Sequence, residues 1–358
     1  MKRICLLPWF NVHVWAGGAV FCCFQKRPFA SYTPLTGGPY AGEDIWNSAS
    51  ARAERGRMLT EGIAGCCRDD CTCSPVLHGM SFDAQAEFYR ARYGGDPNYW
   101  HCVKASVEDN CTYAHPPTVF NLHFGNLCNA CCPMCEVRDT TGPGRIVSPR
   151  QVEHLRRLCE KALSVHLGGG DLFALDPVHI AALIAIAPPA AKVETTTNGL
   201  GLTLRRWKRF VAARPDPGMT LRVSLDTVDQ EAYRLQRGRD VRKVLRNLRA
   251  IARAGAGRHG ISALFCAVNA WTLPGLPDLV RFAAEVDIPE VTITPTYGRA
   301  LARQGLGAVD ILGDGWTVDA GISGLRVLER AKEAARDTGV RFIGADTIGR
   351  LLTREGDR

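Results

Sequence analysis

From residue 117 to about 300, short apolar runs alternate with stretches whose apolar residues recur every three or four positions. The runs TVFNLHF (118–124), LSVHLGG (163–169), KVETTTN (192–198), TLRVSLD (220–226), ISALFCAV (261–268) and EVTITPT (290–296) have the character of strands. Between them, SPRQVEHLRRLCEKA (148–162), HIAALIAIA (179–187) and VRKVLRNLRAIARAG (241–255) read as amphipathic helices. Ser148 and Pro149 define the start of the first, with Ser as N-cap and Pro at the first helical position. Repeated strand–helix units imply a parallel sheet with right-handed crossovers. Six such units predict an α/β fold, a partial (β/α)6 TIM-like barrel over residues 116–300. Its site is expected at the C-terminal strand ends, where the βα loops converge.

The flanks read differently. Residues 1–115 are cysteine-rich, broken by Gly and Pro, and weakly periodic. FNVHVWA and GAVFCCF, either side of Gly17-Gly18, predict a hairpin. This zone is expected to be a small domain before the barrel, poor in apolar material and stabilised by metal ligation. Residues 301–358 are expected to form an extension with one helix (323–337) and one strand (340–345).

With 46% apolar and 22% charged residues, the 358-residue chain suits a buried core and is not a disordered polymer. Its net charge of +8 is spread without a concentrated basic tail, and suits anionic cofactors as well as nucleic acid. No apolar run reaches the ~18–20 residues that span a bilayer. Cysteine is the unusual residue, with fifteen in all and thirteen in the first 135 positions. A chain of this size has no need of disulfides for its core, and an odd total resists full pairing. The opening MKRICLLPWFNVHVWAGG imitates a signal peptide, but Pro8, Asn11 and His13 interrupt it. A reducing, cytoplasmic setting with thiols as metal ligands is expected.

Directly after the first strand of the barrel region, FNLHFGNLCNACCPMCEV sets Cys128, Cys132 and Cys135 in a C-x3-C-x2-C spacing. Three thiolates on one loop can hold three irons of a [4Fe–4S] cube and leave the fourth open. A structural zinc site normally takes four protein donors. Cys131, beside Cys132, leaves an alternative second ligand open.

On these residues the stretch from 117 to 300 resembles the radical S-adenosylmethionine (radical SAM) superfamily. Leu167-Gly168-Gly169-Gly170-Asp171-Leu172-Phe173 stands where that family has a Gly-Gly-Glu-Pro segment contacting the methionyl amino group, with Asp171 for Glu and Leu172 for Pro. Glu194 to Gly199 resembles the next strand end, and Ser224-Leu225-Asp226 with Tyr233 and Arg237 resembles the stretch beyond it. The resemblance implies a catalytic [4Fe–4S] cluster on Cys128, Cys132 and Cys135. It implies S-adenosylmethionine held by Gly169, Gly170, Asp171, Asn198, Ser224 and Arg237, with Thr294 near the adenine. The implied chemistry is reductive cleavage to a 5′-deoxyadenosyl radical that abstracts a substrate hydrogen. An external one-electron donor such as flavodoxin or ferredoxin is implied with it.

Residues 1 to about 75 resemble the SPASM/Twitch auxiliary-cluster module. Cys5, Gly17-Gly18 and Cys22-Cys23 meet that module's first spacing, whereas Cys66, Cys67, Cys71 and Cys73 depart from its second. The resemblance implies one auxiliary [4Fe–4S] cluster on Cys5, Cys23, Cys67 and Cys71. A small-molecule substrate is expected, namely a sugar, aminocyclitol or nucleoside in natural-product biosynthesis. Cys266, read on one strand face with Ser262 and Leu264, is the expected hydrogen donor for epimerisation at a carbinol carbon. A buried packing role is its plainer reading. Dehydrogenation through the auxiliary cluster and modification of a ribosomal peptide are the alternatives within the family. A non-catalytic protein that binds metal or nucleic acid is the alternative outside it. His123 and His166 read as pocket lining or as core, and the basic stretch from Arg237 to Lys243 as a solvated helix face. Neither a membrane nor a nucleic-acid partner is expected.

Overall fold

A computed structural model describes residues 4–14, 19–21, 30–31, 46–66, 80–95, 97–108, 117–135, 146–214, 218–255, 260–296 and 318–352, with Leu301, Gly305, Leu306, Val309 and Ile311. The N-terminal strands are β1 (Asn11–Val14), β2 (Ala19–Phe21) and β3 (Ala30–Ser31). Helices α1 (Ala49–Cys66), α2 (Phe82–Tyr93) and α3 (Pro97–Glu108) follow. Alternation then sets in with β4 (Val119–His123), α4 (Pro149–Leu158), β5 (Ser164–Gly168), α5 (Pro177–Ile184) and β6 (Lys192–Thr197). It continues through α6 (Leu204–Ala212), β7 (Met219–Ser224), α7 (Gln230–Arg237) and α8 (Val241–Arg253). The last elements are β8 (Ile261–Val268), α9 (Leu276–Glu285), β9 (Glu290–Pro295), α10 (Val318–Thr338), β10 (Arg341–Ile343) and α11 (Ala345–Leu352).

Two compact units share these elements. The first comprises Met1–Asn126, Gly144–Gly169 and Ala181–Glu194; the second comprises Leu127–Pro143, Gly170–Ile180 and Thr195–Arg358. In the first, the strand order is β3-β2-β1-β4-β5, with the start of β6 next. The expected hairpin is present, with His13 opposite Phe21 and Val14 opposite Val20. In addition, β1 runs parallel to β4, from Asn11 opposite Val119 to Val14 opposite Leu122. The cysteine-rich zone therefore supplies a strand to the same sheet as the β/α region. In the second unit the end of β6 is followed by β7, β8, β9 and β10. Eight strands, β1 and β4 to β10, make up the parallel part, and neither unit closes into a barrel. All six strands expected between 117 and 300 are found, and the strand expected at 340–345 joins β9 in parallel.

Local chemistry accounts for the element starts. Ser148 caps α4 through a reciprocal pair: its Oγ accepts from the Gln151 amide at 3.3 Å, and its own amide donates to Gln151 Oε1 at 2.6 Å. Thr203, Asp229 and Asp240 cap α6, α7 and α8, each through a side-chain oxygen that accepts from a first-turn amide. The N-terminal zone departs from expectation, because it does carry a core of its own. Leu6, Trp9, Phe10, Trp46, Met58 and Trp100 are all buried. Phe10 packs its ring 4.7 Å from that of Tyr89 and 5.2 Å from that of Trp100. Six large side chains scattered over 95 residues give no periodic signal, which is why the sequence pattern under-reads them.

The polar side of β1, β4 and β5 holds three histidines. His13 and His166 both stand opposite Asn121, and His13 lies 6.3 Å from His123 between ring centroids. Burial first, and His166 second, push the His123 imidazole down to about 3. A folded-state value below the unfolded one means that the unfolded chain binds more protons as the pH falls below about 6.5. Stability is therefore full above that value and is lost toward acid. From pH 7 to pH 5 a loss on the order of 1–2 kcal/mol is expected, read as a falling thermal midpoint. His123→Asn should flatten that slope, and an unchanged slope in the variant would refute the assignment.

Candidate metal centre and cofactor site

Residues 127–135 follow β4 as a loop bearing the three thiols, and two strand-end elements of the second unit fasten it. Asn198, just past β6, donates from its side-chain amide to Asn129 Oδ1 at 2.7 Å and to Cys128 Sγ at 3.5 Å. At the other side, the Cys131 amide donates to the Arg237 carbonyl at 2.9 Å, at the end of α7. Gly238 ends that helix in the left-handed region, and a Cβ there would stand 2.9 Å from Cys131 Cβ. Cys131 is thus turned to the helix end. Arg237 reaches Cys132 Sγ with Nη1 at 3.7 Å.

The three thiols differ in setting. Cys128 is exposed, while Cys132 and Cys135 are half-buried. Cys132 packs beside an apolar cluster of Met134 and Leu301 that also holds Ala267. Burial pushes its thiol up to about 11 against the opposing effect of Arg237, and burial likewise raises Cys128. Such thiols stay protonated at neutral pH until a cation displaces the proton. Among the described residues no three Cys, His, Asp or Glu side chains converge closely enough to hold a single ion. Separated thiols suit a group with several irons, one thiolate to each.

Two glycines bring main chain close against main chain. In the first unit Gly169 has φ +107, and a Cβ on it would lie 2.3 Å from the Gly125 carbonyl oxygen. In the second unit a Cβ on Gly170 would lie 2.1 Å from the Leu127 carbonyl oxygen. Next in line, the Asp171 amide donates to that Leu127 carbonyl at 2.9 Å. The Asp171 carboxylate is buried and accepts from the amides of Phe173 at 2.8 Å and Asn198 at 2.6 Å, and from Thr197 Oγ1 at 2.8 Å. Its oxygens are thus engaged with three donors inside the chain. Asp171 fixes Asn198, and Asn198 fixes the Cys128 loop.

Arg237 is also engaged within the chain. Its Nε pairs with Asp226 Oδ2, and Nη2 donates to Asp226 Oδ1 at 3.0 Å. Asp226 is fully buried and accepts from the Ala267 amide as well, at 2.8 Å. Ser224, Phe265 and Thr292 stand in one row across β7, β8 and β9, with Ala267 opposite Thr294 in the next row but one. All five are half-buried, so Ser224 and Thr294 share the partly open face.

Cys266 lies on the other face. Leu221 pairs with Ile261 but Arg222 pairs with Ala263, so β8 carries one extra residue at this point. The bulge takes Ser262 out of the period-two row, while Leu264 and Cys266 keep the one buried face expected of them. Cys266 is fully buried opposite Ile293, and its thiol donates to the Asp226 carbonyl at 3.2 Å. Among the auxiliary ligands, Cys5 is half-buried with its amide on Met58 Sδ at 3.5 Å. Cys23, Cys67 and Cys71 lie outside the described residues.

Sequence reasoning missed a cavity of about 330 Å³ beside the exposed thiol, lined by Leu127, Cys128, Asn129, Phe173, Arg206 and Lys243 among others. Arg206 and Lys243 lie 37 positions apart on different helices, and only the packing of α6 and α8 shows them as neighbours.

These features define an α/β protein with three thiols on one loop after a strand. Residues 122–282, a little under half of the chain, match the model of the Radical SAM superfamily. The cofactors of that family are a [4Fe–4S] cluster and S-adenosylmethionine. No curated protein sequence matches the chain. Among solved structures, it is similar to Streptococcus suis SuiB bound to the precursor peptide SuiA, at 13% identity and a TM-score of 0.49. That match covers 84% of this chain and 64% of SuiB, so the chain spans less than two thirds of that protein. Another similar structure is anSMEcpe with bound AdoMet, at 15% identity and a TM-score of 0.47, covering 64% of each chain. A third is the coproporphyrinogen III oxidase HemN of Escherichia coli, at 15% identity and a TM-score of 0.42, covering 60% of this chain and 53% of that one. No helix among the described residues is long and apolar enough to cross a membrane.

Proposed function

We propose that this chain is a radical SAM enzyme acting on a small molecule such as a sugar, aminocyclitol or nucleoside. The observation that carries this reading is the fastening of the Cys128–Cys135 loop between Asn198 and the end of α7, with three thiols on one loop after a strand. Cys128, Cys132 and Cys135 would hold a [4Fe–4S] cluster. When bound, that group supplies the electron that splits S-adenosylmethionine into methionine and a 5′-deoxyadenosyl radical.

The chain's own residues position and shield. Gly169 and Gly170 allow main chain to approach main chain where any side chain would clash. The Asn198 amide donates to the Cys128 sulfur, and Arg237 directs positive charge at Cys132, both favouring the thiolate form. Ser224 and Thr294 offer hydroxyls on the partly open face. Anaerobic reconstitution tests the reading. About four irons and four sulfides, with 5′-deoxyadenosine released under dithionite, support it. Zinc without sulfide would overturn it.

An auxiliary cluster on Cys5, Cys23, Cys67 and Cys71 belongs to the same proposal, and about eight irons rather than four would report it. Epimerisation and dehydrogenation separate at Cys266. Its S–H is spent on a main-chain carbonyl inside the sheet, which favours the outcome that needs no hydrogen return. Cys266→Ala is therefore expected to retain both 5′-deoxyadenosine release and net product formation. The measurement is solvent deuterium incorporation into product; loss of inversion with retained cleavage would restore the epimerase role.

A further inference from the structure

Helix α6 carries Arg205, Arg206, Lys208 and Arg209, and α8 carries Arg242, Lys243, Arg246, Arg249 and Arg253. Neither helix contains an acidic residue. Nine positive charges on two helices match the net charge of the whole chain, +8, so the remainder is close to neutral. The two helices pack against each other, with Trp207, Phe210, Val244 and Leu248 buried beneath them. Arg249 is paired with Glu285 and Arg242 with Asp240. Arg205, Lys208, Arg209 and Lys243 are exposed, and among the described residues no carboxylate stands within ion-pair reach of them. Arg206 and Lys243, one from each helix, line the cavity that reaches Cys128, the exposed thiol of the three. The positive face therefore reaches the cavity that Cys128 lines.

We propose that the α6–α8 face is the docking surface for an acidic one-electron donor protein of the flavodoxin kind. Charge complementarity steers such a partner toward Cys128, where an electron is needed. The donor's fully reduced flavin gives up one electron and the iron–sulfur group takes it up, with no atom exchanged. A nucleic acid fits the face less well, because both aromatic residues of these helices, Trp207 and Phe210, are buried and offer no base a stacking surface.

The inference rests on the radical SAM reading, and its test keeps the two apart. Reconstituted protein is assayed for 5′-deoxyadenosine with dithionite and, separately, with reduced flavodoxin. In the variant Arg205→Glu/Lys208→Glu/Arg209→Glu the half-saturating flavodoxin concentration should rise about tenfold or more, and the dithionite rate should stay. Raising salt should weaken wild-type flavodoxin binding, followed by isothermal titration with the oxidised form, and leave the variant nearly insensitive. Equal flavodoxin affinity in variant and wild type would overturn the docking surface, as would DNA or RNA binding that disappears in the variant while flavodoxin kinetics hold. Titration reads docking without turnover, so a wild-type protein inert under dithionite counts against the proposed function alone.

Discussion

Arg237→Met protein is expected to lose about 3–5 kcal/mol of folding stability, the cost typical of removing one partner from a buried ion pair. Asp226 is fully buried, and Arg237 gives it two of its three hydrogen bonds; the third comes from the Ala267 amide. With the guanidinium gone, the carboxylate must stay charged in an apolar setting or take up a proton. Either course is costly. The double variant Arg237→Met/Asp226→Leu removes the stranded charge and should recover most of the loss. It should not recover all of it, because the Ala267 N–H is left unsatisfied at a cost of about 1–3 kcal/mol. Urea denaturation of the metal-free proteins measures both steps. A single variant as stable as wild type would show that Asp226 finds another partner. The pair also ties stability to chemistry, because Arg237 Nη1 faces Cys132 and the Arg237 carbonyl anchors Cys131. Weakened iron uptake should accompany the loss in the single variant.

The amino-acid pattern foretold the alternation of strands and helices closely, because buried parallel strands write their periodicity and β-branched content into short runs. ISALFCAV became β8 over the same eight residues. What it did not reveal has physical reasons. A bulge is invisible to a period-two reading, so Ser262 falls out of the row of Leu264 and Cys266 that such a reading expects, as the Leu221–Ile261 and Arg222–Ala263 pairs show. The parallel partner of β1 lies more than 100 residues away, and four residues, NVHV, carry too little pattern to name it. Around the site, Asp171 bonds to Thr197 and Asn198, and Arg237 to Asp226. Side-chain partners of this kind follow from three-dimensional packing and leave no mark in spacing.

Spacing also left Cys131 and Cys132 as rivals, and here the structure separates two neighbouring thiols with opposite expected outcomes. Cys132 faces Arg237 Nη1 and packs beside Met134 and Leu301. Cys131 has its amide tied to the Arg237 carbonyl and its Cβ turned onto Gly238, where only a glycine leaves room. Cys132→Ala should therefore fail to assemble a complete cluster, with 5′-deoxyadenosine production at the level of a protein-free control. Cys131→Ala removes one sulfur from a helix end and should keep iron, sulfide and activity near wild type, with a stability change of about 1 kcal/mol or less. Iron and sulfide content after anaerobic reconstitution reads the difference directly, and the visible absorption of the cluster reads it again. The reverse result, an intact cluster in Cys132→Ala and none in Cys131→Ala, would mean that the loop turns over when iron binds. In that case the bond from Cys131 to Arg237 would have to break first, and Gly238→Ala, which crowds the Cβ of Cys131, should then ease assembly rather than hinder it.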